Sequence, residues 1–193
     1  MIDKINTWLI RRYLSVRNEL SVFEKEKVEY ALSILLNEIE KVIGVLSVFI
    51  FTGKVKMFLL SFVVLMSLRI FIGGLHFNKR YQCFLFTLLF FLVTVLLSEV
   101  FIIDKAMGCL VFCFSLINIV LCAPLPSRHR VLVSEGGKKR LRNMTILILS
   151  MWMICYIFLN GISANIILWT IIVQQLEILY YKFIYGRKLK YEQ

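Results

Sequence analysis

Charged residues are scarce in this chain of 193 residues: they make up 18% of it, whereas hydrophobic residues make up 60%. Soluble proteins have about 25% charged and about 45–50% apolar residues. A soluble domain of this length could not bury so much apolar surface in one core, because a short chain keeps a large fraction of its surface exposed. The composition therefore excludes an ordinary soluble domain and favours a protein surrounded by lipid.

Cysteine patterns that would form a disulfide framework or a zinc ribbon are missing as well. The five cysteines are odd in number and include no Cys-x-x-Cys pair. Cys109 and Cys113 are one helical turn apart, but no histidine or carboxylate stands beside them. Cys122 and Cys155 have apolar neighbours in the sequence, so we expect inert thiols there. The sequence therefore predicts reduced cysteines and no metal site.

A cleavable signal sequence is not visible, because the N-terminus leads directly into a charged segment. We therefore expect the N-terminus to stay in the cytoplasm. Between Ile2 and Phe23, apolar residues recur every three or four positions, with arginines between them. This spacing predicts an amphipathic helix in residues 1–28, which either lies on the bilayer surface or packs on other helices.

Six apolar stretches follow, each near the ~20 residues that a helix needs to cross a bilayer core. The predicted spans are 30–53, 56–76, 81–103, 106–123, 144–160 and 162–182. The predicted fold is an all-α polytopic membrane protein, with about six transmembrane helices after the amphipathic helix. The membrane domain is predicted to cover 29–183, with a basic cytoplasmic loop at 124–143 and a basic cytoplasmic tail at 184–193.

The distribution of positive charge predicts the topology. The chain has 23 Lys and Arg residues against 12 Asp and Glu residues, a net charge of +11. With the N-terminus inside, and with the span-end residues Lys56 and Lys182 counted in their flanking segments, eighteen basic residues fall on the cytoplasmic side, three fall outside and two lie within spans. Cytoplasmic loops of membrane proteins are enriched in Lys and Arg. We therefore expect both termini in the cytoplasm, and interpret the positive charge as topology rather than as nucleic-acid binding.

His76 and Cys83 are the candidate catalytic pair. A histidine and a cysteine at one membrane edge can act as general base and thiol nucleophile, and a thiol needs such a base or nearby cations to become a thiolate at neutral pH. On one continuous helix, seven residues would separate them by about 10.5 Å, so the pair requires a turn at 77–80. The alternative is that both residues serve only packing or an interface.

Four neighbouring residues would support such a pair. Lys79 and Arg80 would supply positive charge between the histidine and the cysteine. Gly73 and Gly74 loosen the preceding helix and would expose backbone N–H groups as an oxyanion site. The second histidine, His129, is interpreted as a solvated loop residue.

With Arg69, Gly74, His76 and Cys83 at these spacings, the chain resembles the AgrB family. These are multi-pass membrane cysteine endopeptidases of Gram-positive bacteria, which process autoinducing-peptide precursors for quorum sensing. The basic amphipathic N-terminal segment, the six apolar stretches and the Ala123-Pro124 pair before a basic loop fit the same family. The resemblance covers almost the whole chain.

The resemblance implies an enzyme of the bacterial cell membrane that cleaves a small amphipathic, AgrD-like precursor peptide. His76 would activate Cys83, which would attack the scissile carbonyl and form an acyl-enzyme thioester. A Cys or Ser of the peptide would then close a thiolactone or lactone ring. Arg69 would hold a substrate carboxylate, orient the turn or extend to the interface. The expected partners are the precursor and membrane lipid, a homodimer is an open option, and no cofactor is required.

Two other classes of function remain open from the residues alone. A small transporter would use intramembrane polar residues as a pathway, and the candidates are Glu38, Lys41, Gln174, Gln175 and Glu177. A non-enzymatic scaffold would bind a sensor kinase through its N-terminal helix. Neither alternative requires Cys83.

Overall fold

The computed structural model describes residues 22–74, 79–125 and 134–191. These residues form six α-helices and no strand: α1 Val22–Phe51, α2 Val55–Ile72, α3 Arg80–Val100, α4 Lys105–Cys122, α5 Glu135–Phe158 and α6 Gly161–Tyr191. Five of them, α2 to α6, are long and apolar enough to cross a membrane. The predicted all-α membrane fold is therefore confirmed, while residues 1–21 of the predicted amphipathic helix lie outside the described residues.

The chain forms two compact units, Met1–Gly53 and Lys54–Gln193. The first unit contains α1, which covers residues 30–51 of the predicted span 30–53 but is not among the five helices apolar enough to cross a membrane. Glu38 and Lys41 form the ion pair that their spacing predicts. Pairing lowers the cost of placing these two charges on a helix whose C-terminal part is apolar.

Helices of the second unit alternate in direction. Lys54 before α2 pairs with Glu99 near the end of α3. Asn165 in the first turns of α6 donates a hydrogen bond of 2.7 Å to the carbonyl oxygen of Phe101, just after α3. We call this end, where α2, α4 and α6 begin, the Lys54 end. The opposite end, where α2 and α4 end and α3 and α5 begin, is the Gly73 end.

Helix α6 is the centre of the second unit. Within its membrane span, 61% of the residues are buried, against 22–33% in the other four spans, because α6 packs against α2, α3, α4 and α5. Apolar side chains from α2 and from α4 to α6 form the core around it, among them Leu68, Ile72, Phe112, Ile119, Leu149, Ile167, Leu168, Ile171 and Ile178. Lipid is as apolar as these side chains, so close packing and internal hydrogen bonds hold the helices together.

Three helix boundaries differ from the predicted spans. Helix α2 ends at Ile72, before the predicted end at 76, and is followed by Gly73 with a φ of +92° that favours glycine. Helix α5 begins at Glu135 instead of 144, so residues 135–143 of the predicted basic loop are helical. The hydroxyl of Ser134 caps this start by accepting a bond from the N–H of Gly137 at 3.3 Å. Helix α6 likewise continues through much of the predicted tail, to Tyr191.

Candidate active site

The end of α2 is fixed by backbone contacts. The N–H of Gly73 donates to the carbonyl oxygen of Arg69 at 2.9 Å, and the carbonyl oxygen of Ile72 accepts from the N–H of Leu125, also at 2.9 Å. Leu125, two residues after Ala123, is 4% exposed and belongs to the core. The structure thus brings the Ala123-Pro124 pair and the two predicted glycines, which are far apart in sequence, to one place at the Gly73 end.

Arg69 is bound within the protein. Its guanidinium Nη2 lies 2.5 Å from a carboxylate oxygen of Glu177 on α6, and only 19% of the Arg69 side chain and 2% of the Glu177 side chain are exposed. The guanidinium also packs against Gly74, since a Cβ at that position would lie 2.9 Å from both Cζ and Nη2. Arg69 therefore joins α2, α6 and the glycine pair.

A second polar contact shows that α2 and α6 run in the same direction. The hydroxyls of Ser61 and Thr170 are 2.8 Å apart, two helical turns before the Arg69–Glu177 pair on each helix. Gln174, on the same side of α6 between these two contacts, is fully buried, and its amide has no hydrogen-bond partner among the described residues. The seam between α2 and α6 is therefore polar inside an apolar core.

Cys83 lies at the start of α3, where its N–H donates to the carbonyl oxygen of Lys79 at 3.3 Å. Its side chain is half-buried. It shares the face of α3 that carries the buried residues Phe90, Phe91 and Thr94. The thiol therefore lies on the side of α3 that faces the bundle, at the Gly73 end.

Register along the helices relates Cys83 to the Arg69–Glu177 pair. Asn165 donates to the carbonyl oxygen of Ser98 at 2.6 Å, so these two positions of the antiparallel helices α3 and α6 are level. Fifteen residues back along α3 is Cys83, and fifteen residues forward along α6 is Tyr180. At a rise of about 1.5 Å per residue, Cys83 lies within about one helical turn of Glu177 along the bundle axis.

Not every predicted site residue can be placed. His76 lies outside the described residues, as does the side chain of Arg80, so the catalytic pair itself stays a prediction. Lys79 precedes the first residue of α3, and its exposed ammonium lies 5.8 Å from the centre of the Tyr81 ring. Of the predicted residues, the structure thus places Arg69, Gly73, Gly74, Lys79 and Cys83 at the Gly73 end.

The other cysteines occupy different surroundings. Cys113 is exposed on α4, on the side of this helix that we expect to face lipid. Cys122 corrects a prediction, because its neighbours are polar: the thiol donates to Oδ1 of Asn118 at 3.1 Å, and the ammonium of Lys182 lies 3.4 Å from its sulfur. Asn118 is one turn earlier on α4. Lys182 comes from α6, so its contact with Cys122 could not be found from the sequence around Cys122. Within the described segments, no three His, Cys, Asp or Glu side chains are grouped to hold a metal.

Sequence reasoning missed two polar connections. It proposed Glu177 only as part of a transport pathway, not as the partner of Arg69. It also missed the bond of 2.7 Å in which the Asn118 amide donates to Gln175 across α4 and α6. The sequence did contain a sign of the Arg69–Glu177 pair, because each of these residues is the sole charged residue in the apolar part of its span.

Comparison with known proteins identifies the family. The family model described as Accessory gene regulator B (AgrB) matches residues 2–178. A curated protein of Clostridium beijerinckii, named "Putative AgrB-like protein", is 26% identical over 180 residues, which cover 93% of this chain and 89% of that protein. No solved structure matches the chain significantly. The match spans nearly all of the sequence, including the residues at the Gly73 end, and the chain therefore belongs to the AgrB family.

Proposed function

We propose that this protein is a membrane-embedded cysteine endopeptidase that cleaves a small amphipathic precursor peptide and promotes its cyclisation. Membership of the AgrB family supports a role in quorum-sensing peptide processing. The thiol mechanism is our proposal, with Cys83 as nucleophile and His76 as its base.

The placement of Cys83 carries the proposal. Of the five cysteines, it is the one in the first turns of a helix, on the side facing the bundle and at the end that holds the glycine pair. The N-terminus of a helix presents backbone N–H groups and the positive end of the helix dipole. Such an environment suits a nucleophilic thiol. Cys113, which is exposed, and Cys109, near the Lys54 end, lack this combination.

The proposed reaction has two steps. Cys83 attacks the scissile carbonyl, His76 accepts the thiol proton and returns it to the leaving amine, and the C-terminal part of the precursor departs, leaving a thioester on Cys83. A Cys or Ser side chain of the retained peptide then attacks the thioester carbonyl, which releases Cys83 and forms a thiolactone or lactone. Water would hydrolyse the thioester instead, so a site at the edge of the bilayer favours ring closure.

Charge at the Gly73 end suits an acidic precursor. Lys79 lies there, and so do Lys138, Lys139, Arg140 and Arg142 in the first turns of α5. We propose that this end faces the cytoplasm, where basic residues are enriched. A cluster of positive charge raises the local concentration of oppositely charged partners, an attraction that salt screens over about 8 Å. A membrane-bound peptide with an acidic tail would therefore concentrate beside Cys83.

The transport alternative has less support from the contacts. Two of its proposed pathway residues, Gln175 and Glu177, are bonded to Asn118 and Arg69. Glu38 and Lys41 pair with each other. These four side chains connect helices or neighbouring turns, which is a structural use, whereas the amide of the fifth, Gln174, has no partner among the described residues.

Substitution of the proposed nucleophile tests the function. Cys83→Ser and His76→Ala should each abolish cleavage of an epitope-tagged precursor co-expressed in bacterial membranes, because each removes a reacting group. The amount of membrane-inserted protein should not change. Cys113→Ala is the matched control and should cleave as the wild type does. Normal cleavage by Cys83→Ser would refute the mechanism and favour the transporter or the scaffold.

A further inference from the structure

The apolar part of α2 has one charged residue, Arg69, and the apolar part of α6 has one, Glu177. They are 108 positions apart in sequence, yet they form a 2.5 Å contact in the interior. An isolated charge within a membrane helix is costly, and such residues face the bundle and pair with each other. Each of these two charges therefore has the other as its compensating partner.

Gly74 lies directly against this ion pair. The Arg69 guanidinium occupies the space that a Cβ on Gly74 would need, and the carbonyl oxygen of Arg69 accepts from the N–H of Gly73. Both the backbone and the side chain of Arg69 thus hold the two residues that follow α2. In the sequence, Gly74 is two residues before His76.

We propose that Glu177 is a positioning residue for the reaction, acting through Arg69 on the segment that carries His76. The inference rests on the proposed function, since it assumes that His76 activates Cys83. Glu177 anchors the guanidinium to α6, and the anchored guanidinium fixes the course of the chain at Gly74. Because Gly74 is two residues before His76 in the sequence, we expect loss of this anchor to weaken the action of the proposed base on Cys83.

Glu177 is not expected to contact the substrate in this role. Its side chain is 2% exposed and pairs with Arg69 of α2. Arg69 is correspondingly committed to an internal partner rather than to a substrate carboxylate. Loss of Glu177 should therefore affect the activation of Cys83 even when no substrate is present.

Alkylation of Cys83 by iodoacetamide at pH 6.5 provides that substrate-free test, in full-length protein with the other four cysteines replaced by alanine. We expect His76→Ala and Glu177→Gln each to slow alkylation at least tenfold. The double variant should be no slower than His76→Ala alone, because residues acting through one another are not additive. Glu99→Gln, which removes the partner of Lys54 at the other end, is the matched control and should stay within twofold of the parent.

The outcomes separate this inference from the proposed function. If His76→Ala leaves the alkylation rate unchanged, His76 does not activate Cys83, and both proposals fail. If His76→Ala slows alkylation but Glu177→Gln stays within twofold of the parent, only the positioning role is refuted. Additive losses in the double variant would also refute it, since Glu177 would then act independently of His76.

A conservative variant covers the case in which Glu177→Gln does not accumulate in membranes. Glu177→Asp keeps the charge but shortens the side chain by one methylene group, so it should slow alkylation partially, by three- to tenfold. Exchange of the two residues, Arg69→Glu with Glu177→Arg, should recover more reactivity than either single substitution. A rate for Glu177→Asp within twofold of the parent would overturn the positioning role.

Discussion

Gly74→Ala should disrupt the candidate site without changing any charged or reacting group. The added Cβ would lie 2.9 Å from Cζ and Nη2 of Arg69, whereas non-bonded heavy atoms prefer about 3.5–4.0 Å. The guanidinium must therefore move by about 1 Å. It cannot move toward Glu177, because Nη2 is already 2.5 Å from the carboxylate. A shift of about 1 Å away from the carboxylate lengthens that contact to about 3.5 Å, beyond ordinary hydrogen-bond distance.

The size of the effect follows from the contact that is lost. A hydrogen bond to a charged group is worth about 1.5–3 kcal/mol, and 1.4 kcal/mol corresponds to about a tenfold change in an equilibrium constant. Precursor cleavage should therefore fall by about 10- to 100-fold, because the guanidinium no longer holds Gly74 in place. Cleavage of a tagged precursor in membranes, normalised to the amount of inserted enzyme, is the assay.

Gly136→Ala is the matched control, since a Cβ there meets nothing within 4 Å. It should retain the wild-type cleavage rate. A wild-type rate for Gly74→Ala would show that the close approach of Arg69 to this glycine has no role in the reaction, and would contradict the reasoning above.

Two further predictions concern topology and packing. Reporter fusions near residues 79, 135 and 190 should report the cytoplasm and those near 54, 104 and 161 the outside, in agreement with the two ends of the helices; an external report at 79 would place Cys83 beyond reach of a cytoplasmic precursor. Gly108→Ala should destabilise the protein by about 1–3 kcal/mol through overpacking, because its Cβ would lie 2.7 Å from Cε1 of the buried Tyr156. Thermal unfolding in detergent should show a lower midpoint for Gly108→Ala than for Gly136→Ala, and equal midpoints would contradict the packing shown here.

The membrane core of the fold was predictable because hydropathy reports directly on burial in lipid. The predicted spans 81–103 and 106–123 coincide with α3 and α4 to within three residues at each end. The predictions differ where a helix leaves the apolar region, as at 135–143 and beyond 182. Hydropathy marks where the bilayer ends, whereas backbone hydrogen bonds and the Ser134 cap determine where the helix ends.

The residues of the candidate site were predictable, but only part of their arrangement was. Glycine at positions 73 and 74 was predicted to loosen the end of α2, and the helix in fact ends at Ile72, four residues before the predicted end at 76, with Gly73 at positive φ. The contact between Leu125 and the end of α2 was not accessible, because it joins segments that are 53 residues apart through tertiary packing. Polar surroundings of Cys122 were missed for the same reason, since Lys182 belongs to another helix.

The Arg69–Glu177 pair shows what the sequence contained beyond composition and spacing. The predicted spans that begin at 56 and 162 cross the membrane in the same direction, and Arg69 and Glu177 lie thirteen and fifteen residues into them. Two opposite charges at nearly the same depth are each costly alone and far less costly together. Matching the depths of lone charges would therefore have indicated that α2 and α6 are neighbours, the arrangement that the structure shows with α6 at the centre of the bundle. Placing the charge partner of Arg69 on the central helix also ties the end of α2 to the most buried of the five membrane-length helices.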